Sequence, residues 1–106
     1  FAVTSTKVLR VPGNILIRQE KNRILVDGRV VVRLPGGKVN PAQLEKGGIV
    51  IMPLKRALRK CIRKKGSRVG HMLHITLDAS LEVTKYILIT AGDAGIYKLR
   101  TIRVLP

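Results

Sequence analysis

The strongest restriction on the fold comes from the segment "RILVDGRVVVRL", residues 23–34. Two aliphatic, β-branched runs flank Asp27-Gly28, a dipeptide preferred in two-residue hairpin turns. Hydrophobic residues make up 45% of the 106 residues, yet only one Phe and two Tyr are aromatic. A chain whose core must be built from Val, Ile and Leu favours strands. The sequence therefore predicts an antiparallel hairpin inside a small β-rich domain.

Similar short runs recur along the chain between Gly and Pro residues. Asn40 as N-cap and Pro41 predict one short helical turn within 40–48. Residues 35–37 end the hairpin, and 91–95 form the turn between the last two strands. We expect a mainly β fold, a small barrel of five to seven short strands with one or two short helices. Besides the hairpin, the predicted strands are 6–11, 14–19, 48–54, 70–77, 81–90 and 95–106.

Positive charge is concentrated in one segment. The formal net charge is +15, and residues 54–68 hold eight of the 21 Lys and Arg residues and no acid. Such a balance indicates a polyanionic partner, most often nucleic acid and next an anionic membrane. No apolar run approaches the ~18 residues of a membrane span. A merely solvated charged face is the simplest alternative for such a run.

The backbone of this basic segment has two possible conformations. Its apolar residues recur at helical spacing, all cations lie off that stripe, and Gly66 is placed to cap the helix. Alternatively, the preceding strand continues to about Leu58, a basic loop follows, and a new strand starts at Val69. Local spacing favours the helix, and Pro53 favours a break or an edge position. The apolar residues in question are Leu54, Ala57, Leu58, Cys61 and Ile62.

No arrangement of residues indicates catalysis. Cationic neighbours could lower the pKa of Cys61, but its place on the apolar stripe indicates packing. His71 and His74 are three apart in a predicted strand and so point to opposite faces; we expect one in the core and one at the surface. No ligand spacing for zinc is completed. We therefore expect no enzyme activity, no cofactor, no metal and no small-molecule substrate.

The stretch "GGIVIMPLKRALRKCIRKKGSRVGHMLHIT" (47–76) resembles the middle of the L-fourteen family of large-subunit ribosomal proteins. In that family a glycine-led hydrophobic strand leads into a lysine-alanine turn, a basic loop ending in Lys-Lys-Gly, and a second strand ending in Thr. Upstream, "IRQEKNRILVDG" and "VVVRLPGGK" are similar to its first strands. The resemblance implies a five-stranded β-barrel that binds rRNA and neighbouring ribosomal proteins. It also implies a strand over 49–58 and an rRNA-facing loop over 59–68, and we place this ahead of the helix.

Departures from the family pattern indicate a diverged organellar member. "YKLR" replaces its glycine-threonine-arginine signature, and about sixteen residues are added at the front. "VGHM" is closer to mitochondrial members, and the first acid is Glu20, which is compatible with removal of a transit peptide. We therefore expect an N-terminal extension over 1–16 and a single rRNA-binding domain over 17–106. The expected location is the mitochondrial ribosome, with the cytoplasm as the alternative.

The predicted function is that of a structural constituent of the large ribosomal subunit. The alternative is a free-standing basic β-barrel that binds nucleic acid, such as an RNA chaperone or a phage protein. The partners expected are large-subunit rRNA and neighbouring ribosomal proteins, and no membrane. The predicted RNA-binding residues are Arg29, Arg33, Lys38, Lys55, Arg56, Arg59, Lys60, Arg63, Lys64, Lys65 and Arg68.

Overall fold

The computed structural model describes residues 14–45, 47–66, 70–96 and 98–104, and the backbone of residues 2–4. Within these ranges the chain forms one six-stranded sheet and two helices. The helices are α1 (Met52–Lys65) and α2 (Leu81–Asp93). The strands are β1 (Ala2–Thr4), β2 (Ile15–Gln19), β3 (Arg23–Val26), β4 (Arg29–Arg33), β5 (His71–Thr76) and β6 (Arg100–Val104).

The sheet is open, with the strand order β1-β6-β5-β2-β3-β4. The pairs β1–β6, β6–β5 and β5–β2 are parallel, whereas β2–β3 and β3–β4 are antiparallel. Strands β1 and β4 are the two edges, and no ladder among the described residues joins them. The prediction of a small domain built on a β-sheet is confirmed, but the prediction of a barrel is wrong. Among the described residues the sheet ends in two edge strands, whereas closing a barrel requires those edges to pair.

The predicted hairpin is present and has the predicted turn. Asp27 and Gly28 both have positive φ, 48° and 84°, as a type I′ turn requires. The ladder shifts between Ile24, which pairs with Val32, and Leu25, which pairs with Val30, so that one extra residue of β4 forms a bulge. β2 and β5 also confirm the strands predicted at 14–19 and 70–77. The strand predicted at 6–11 lies outside the described residues.

The short helical turn is confirmed at Pro41–Gln43, a 3₁₀ turn whose first N–H groups need a cap. The Asn40 side chain accepts a hydrogen bond of 3.0 Å from the backbone N–H of Ala42. Pro41 fits at the first position because it has no N–H to satisfy. The end of the hairpin at 35–37 is likewise a 3₁₀ turn.

The strand predicted at 81–90 is wrong, because these residues form most of α2. The Ser80 side chain caps its N-terminus by accepting a hydrogen bond of 3.4 Å from the Val83 N–H. The turn predicted at 91–95 begins only after Asp93, and the final strand begins at Arg100 rather than near residue 95. The buried residues of α2 recur at helical spacing: Val83, Thr84, Ile87, Thr90 and Ala91.

The strand predicted at 48–54 is also wrong, because α1 begins at Met52. The strand and loop that the resemblance implied for 49–58 and 59–68 are replaced by one helix of 14 residues. Pro53 lies in its first turn, where a missing N–H costs nothing. Gly66 ends the helix with φ 87° and donates its N–H to the Ile62 carbonyl at 2.7 Å. The helical alternative from local spacing is therefore confirmed.

One hydrophobic cluster holds the sheet and the helices together. Ile15 and Ile17 of β2 face it, as do Leu73 and Ile75 of β5, because alternate residues of a strand share a face. Residues 2–4 (β1) and residues 15–16 (the start of β2) fall inside the predicted 1–16 extension and belong to this sheet. The helices contribute Leu54, Leu58, Val83, Ile87 and Ala91 to the cluster.

Candidate polyanion-binding face

Helix α1 presents its apolar side to the core and its cations to solvent. Leu54 and Leu58 are fully buried, and Ala57, Cys61 and Ile62 pack partly buried against the same cluster. At roughly 100° per residue, these five side chains occupy one side of the helix. Burial of that side fixes the rotation of the helix about its axis, and this rotation determines which cations can reach a partner.

Five exposed cations of α1 form what we call the cationic face. At roughly 100° and about 1.5 Å per residue, they span about 140° of the helix circumference and about 12 Å of its length. Among the described residues, none of the five has a carboxylate oxygen within 4.0 Å. The cationic face consists of Arg56, Arg59, Lys60, Arg63 and Lys64.

Two predicted binding residues on the same helix are held by acids. The Lys55 ammonium lies 2.6 Å from Asp93 Oδ2 and 3.2 Å from Glu45 Oε1. These hydrogen bonds, the one to Asp93 first, raise the pKa of Lys55, and the bond from Lys55 lowers the pKa of Asp93. Lys65 donates to Asp27 Oδ2 and to the Asn14 carbonyl, both at 2.9 Å. Lys55 therefore joins α1 to α2, and Lys65 joins α1 to the hairpin turn.

The remaining predicted residues lie off the helix. Arg29 and Arg33 are exposed at the two ends of edge strand β4, and α1 contacts this strand. Lys38 is exposed after the first 3₁₀ turn and lines a small cleft with Glu82 and Tyr86 of α2. Arg68 lies outside the described residues. The structure thus brings five of the eleven predicted residues together on one helix face.

Cys61 lies in surroundings that disfavour its thiolate. Its Sγ is 3.8 Å from Asp27 Oδ2. Burial first and the Asp27 carboxylate second raise the pKa of the thiol, and the nearby charges of Lys65 and Lys64 only oppose this in part. The prediction that Cys61 packs on the apolar side of α1 is confirmed, and the effect of the cationic neighbours is outweighed by burial and by the Asp27 carboxylate.

The two histidines are both buried, so the expectation of one at the surface is wrong. His71 is 9% exposed and His74 is 2% exposed. Three ring nitrogens lack a hydrogen-bond partner in the described part of the chain: Nε2 of His71 and both nitrogens of His74. Burial lowers the pKa of each, helped at His74 by the charge of Arg18. Among the described residues no group of three potential ligands could hold a metal ion.

Comparison with known proteins gives no relatives. No family model matches the chain, and neither does any curated protein or solved structure. Within the described ranges, neither helix is long and apolar enough to cross a membrane.

Proposed function

We propose that this domain is a non-catalytic nucleic-acid-binding protein that contacts the phosphates of structured RNA through the cationic face. The observation that carries the proposal is a set of five exposed cations on one side of α1, and no carboxylate of the described ranges lies within 4.0 Å of any of them. The domain holds six acids against 21 Lys and Arg residues. Three of those acids, Asp27, Glu45 and Asp93, pair with Lys55 and Lys65, and none of the described acids pairs with the cationic face.

Phosphate is the chemistry that such a face recognises best. Each phosphate neutralised by Lys or Arg releases condensed counterions, and this release drives association. Three of the five residues are Arg, whose planar guanidinium can hold a phosphate with two hydrogen bonds. The face carries no aromatic side chain on which single-stranded bases could stack. We therefore infer contacts with the backbone of a folded RNA, where shape and phosphate positions are read.

The resemblance to the L-fourteen family makes large-subunit rRNA the specific partner in this proposal. In that form, the protein is an architectural component of a mitochondrial ribosome and contacts neighbouring ribosomal proteins. Its rRNA contact would come from a helix face, since 59–65 belong to α1 rather than to a loop. The alternative form is a free-standing nucleic-acid-binding domain. Co-sedimentation of the tagged protein with purified large-subunit particles supports the first form, and its absence supports the second.

The test of the cationic face compares two triple variants of equal charge. The first is Arg56→Gln, Lys60→Gln and Arg63→Gln. The second removes three exposed cations elsewhere: Lys21→Gln, Lys98→Gln and Arg100→Gln. Affinity for a duplex RNA is measured against salt concentration. If each of the five cations neutralises one phosphate, the slope of log K against log salt should be about −4.5. The first triple removes three of these contacts and should reduce the magnitude of the slope by about 2.7.

The matched triple should keep most of the wild-type slope, because its cations are not part of the cationic face. If both triples weaken binding equally, affinity follows net charge alone and the cationic face is not a site. If neither changes the slope, the phosphate contacts lie elsewhere on the chain.

A further inference from the structure

Helix α2 exposes branched aliphatic side chains on the side that faces away from the core. Leu81 is 52% exposed, Leu88 40% and Ile89 44%. They recur at i, i+7 and i+8, with exposed Lys85 at i+4 between them, so that all four lie on one side of the helix. We call Leu81, Lys85, Leu88 and Ile89 the outer ridge of α2.

The outer ridge is more than ordinary scatter of apolar residues on a surface. The opposite side of α2 is already buried through Val83, Ile87 and Ala91. A helix that is apolar on both sides normally has both sides covered, and neighbouring exposed aliphatics on one element mark interaction surfaces. The hydrophobic effect alone therefore favours a partner that covers the ridge.

Charge decides what kind of partner fits. Lys85 lies between the apolar residues of the ridge, and no carboxylate of the described residues is within 4.0 Å of its ammonium. A purely apolar partner would remove this ammonium from water without compensation, which is costly. A partner that places a carboxylate opposite Lys85 would instead pair the charge. The surplus of 15 positive charges on the chain also steers acidic partners toward it.

A second copy of this chain fits poorly. A two-fold contact is self-complementary, so pairing two ridges about their middle brings Lys85 near Lys85 of the other copy. It also brings together two molecules that each carry a net charge of +15, which repel each other at low salt. The same two facts favour an acidic partner of different sequence.

The backbone next to the ridge permits a close approach. Gly92 is on the same side of α2, one turn beyond Leu88, and no heavy atom lies within 4 Å of the position that a Cβ would occupy there. Small residues let two helices come close. We propose that the outer ridge is a docking site for an amphipathic helix of an acidic partner protein, with a carboxylate of that helix paired to Lys85.

The probe for this proposal is a synthetic helical peptide with leucines on one side and glutamates beside them. A second peptide replaces each glutamate by glutamine. Binding is measured at physiological salt, and amide chemical shifts separate contacts at the outer ridge from contacts with the cationic face. We expect the largest shifts at Leu81, Lys85, Leu88 and Ile89, and at least a tenfold weaker affinity for the glutamine peptide.

The variant Leu88→Gln/Ile89→Gln removes apolar surface without changing charge or core packing, and should weaken peptide binding at least tenfold. Val30→Thr, at an exposed position of edge strand β4, is the matched control and should leave binding unchanged. Equal binding of the peptide by the wild type and both variants would overturn the proposal. Chemical-shift changes that map to α1 instead of α2 would also overturn it.

Two further outcomes would assign the ridge to another occupant and overturn the proposal. One is concentration-dependent dimerisation in analytical ultracentrifugation that Leu88→Gln/Ile89→Gln abolishes. The other is binding to phosphatidylserine vesicles that this variant abolishes while the peptide fails to bind. The RNA experiment uses the cationic face alone, so either proposal can fail without the other.

Discussion

The Lys65 ammonium lies 2.9 Å from Oδ2 of Asp27 and ties the last turn of α1 to the hairpin turn between β3 and β4. The Asn14 carbonyl accepts a second hydrogen bond from the same ammonium. Lys64, its neighbour in sequence, is exposed and belongs to the cationic face. Two adjacent lysines with the same chemistry thus have different surroundings, which allows a direct comparison between a cation that joins two elements and one that we propose contacts RNA.

Lys65→Met should therefore destabilise the domain, and Lys64→Met should not. The Lys65 pair is about one-third exposed, so solvent screening limits the expected loss in the free energy of unfolding to about 0.5–1 kcal/mol. Urea unfolding measures this loss, and an RNA titration measures binding. Lys64→Met should weaken RNA binding with almost no loss of stability. Equal stability of the two variants would show that the Lys65 contact contributes nothing to folding.

Gln19 is a second residue whose buried contacts can be tested. Its side chain donates to the Ser80 carbonyl at 2.8 Å and accepts from the Thr84 hydroxyl at 2.6 Å, and it is fully buried. Gln19→Leu leaves both partners without this bond, and should lower the free energy of unfolding by roughly 1–3 kcal/mol. Thr84→Val keeps the Gln19 bond to the Ser80 carbonyl, but it removes the hydroxyl that donates to Gln19 Oε1 and, at 3.1 Å, to the same carbonyl. It should therefore destabilise the domain by a similar amount. Unchanged stability of both variants would contradict this assignment of the network.

The buried histidines make stability depend on pH in a defined direction. Burial lowers the folded pKa of His74 below its ordinary value of 6.5, so the unfolded chain takes up the proton first. The contribution of neutral, buried His74 to the free energy of unfolding is complete above pH 6.5. It is lost as the pH falls from 6.5 toward the lower folded pKa. Glu20 and Asp93 have lowered pKa values from ordinary values of 4.5 and 3.8, so their contributions are lost only at lower pH.

The corresponding variant is His74→Leu, which replaces an imidazole that has no hydrogen-bond partner among the described residues. Urea unfolding across this range of pH should show a smaller loss of stability for the variant than for the wild type. Adding His71→Leu to His74→Leu should remove a further part of the pH dependence of stability. An unchanged pH dependence in the double variant would show that neither imidazole is the source.

Cys61 should react slowly with alkylating reagents at neutral pH. Its pKa is raised above the ordinary 9.0, first by burial and then by the Asp27 carboxylate, and only the thiolate is the reactive form. The pH profile of the iodoacetamide rate should therefore have its midpoint above 9.0. Asp27→Asn removes the carboxylate charge and should shift the midpoint down. A wild-type midpoint below 9.0 would contradict the raised pKa of Cys61.

Features that depend only on neighbours in sequence can be predicted from the sequence. The turn at Asp27-Gly28 and the cap by Asn40 involve contacts within a few residues, and both are present as predicted. The apolar spacing of 54–62 also indicated α1 correctly. The resemblance pointed to a strand and a loop over the same residues, and its prediction for the backbone was wrong.

The prediction of a strand over 81–90 is wrong, although the sequence there contains features typical of a helix. Val83, Ile87 and Ala91 recur at helical spacing after Ser80, a residue favoured as N-cap. The β-branched residues and Tyr86 in the same segment have high strand propensity, and this propensity predicts a strand. In sequence α2 connects β5 to β6, a parallel pair that needs such a crossover, and packing of α2 against the core overrides the strand propensity.

The sequence by itself determined the aliphatic core, the hairpin turn, the excess of positive charge and the segment that carries most of it. Only the tertiary structure decided which of those charges remain available. Asp27, Glu45 and Asp93 are 38, 10 and 38 residues from the lysines they bind, and no local pattern predicts such pairs. The fold brings them together because α1 must bury Leu54 and Leu58, and that burial turns Lys55 and Lys65 toward acids and the other five cations toward solvent.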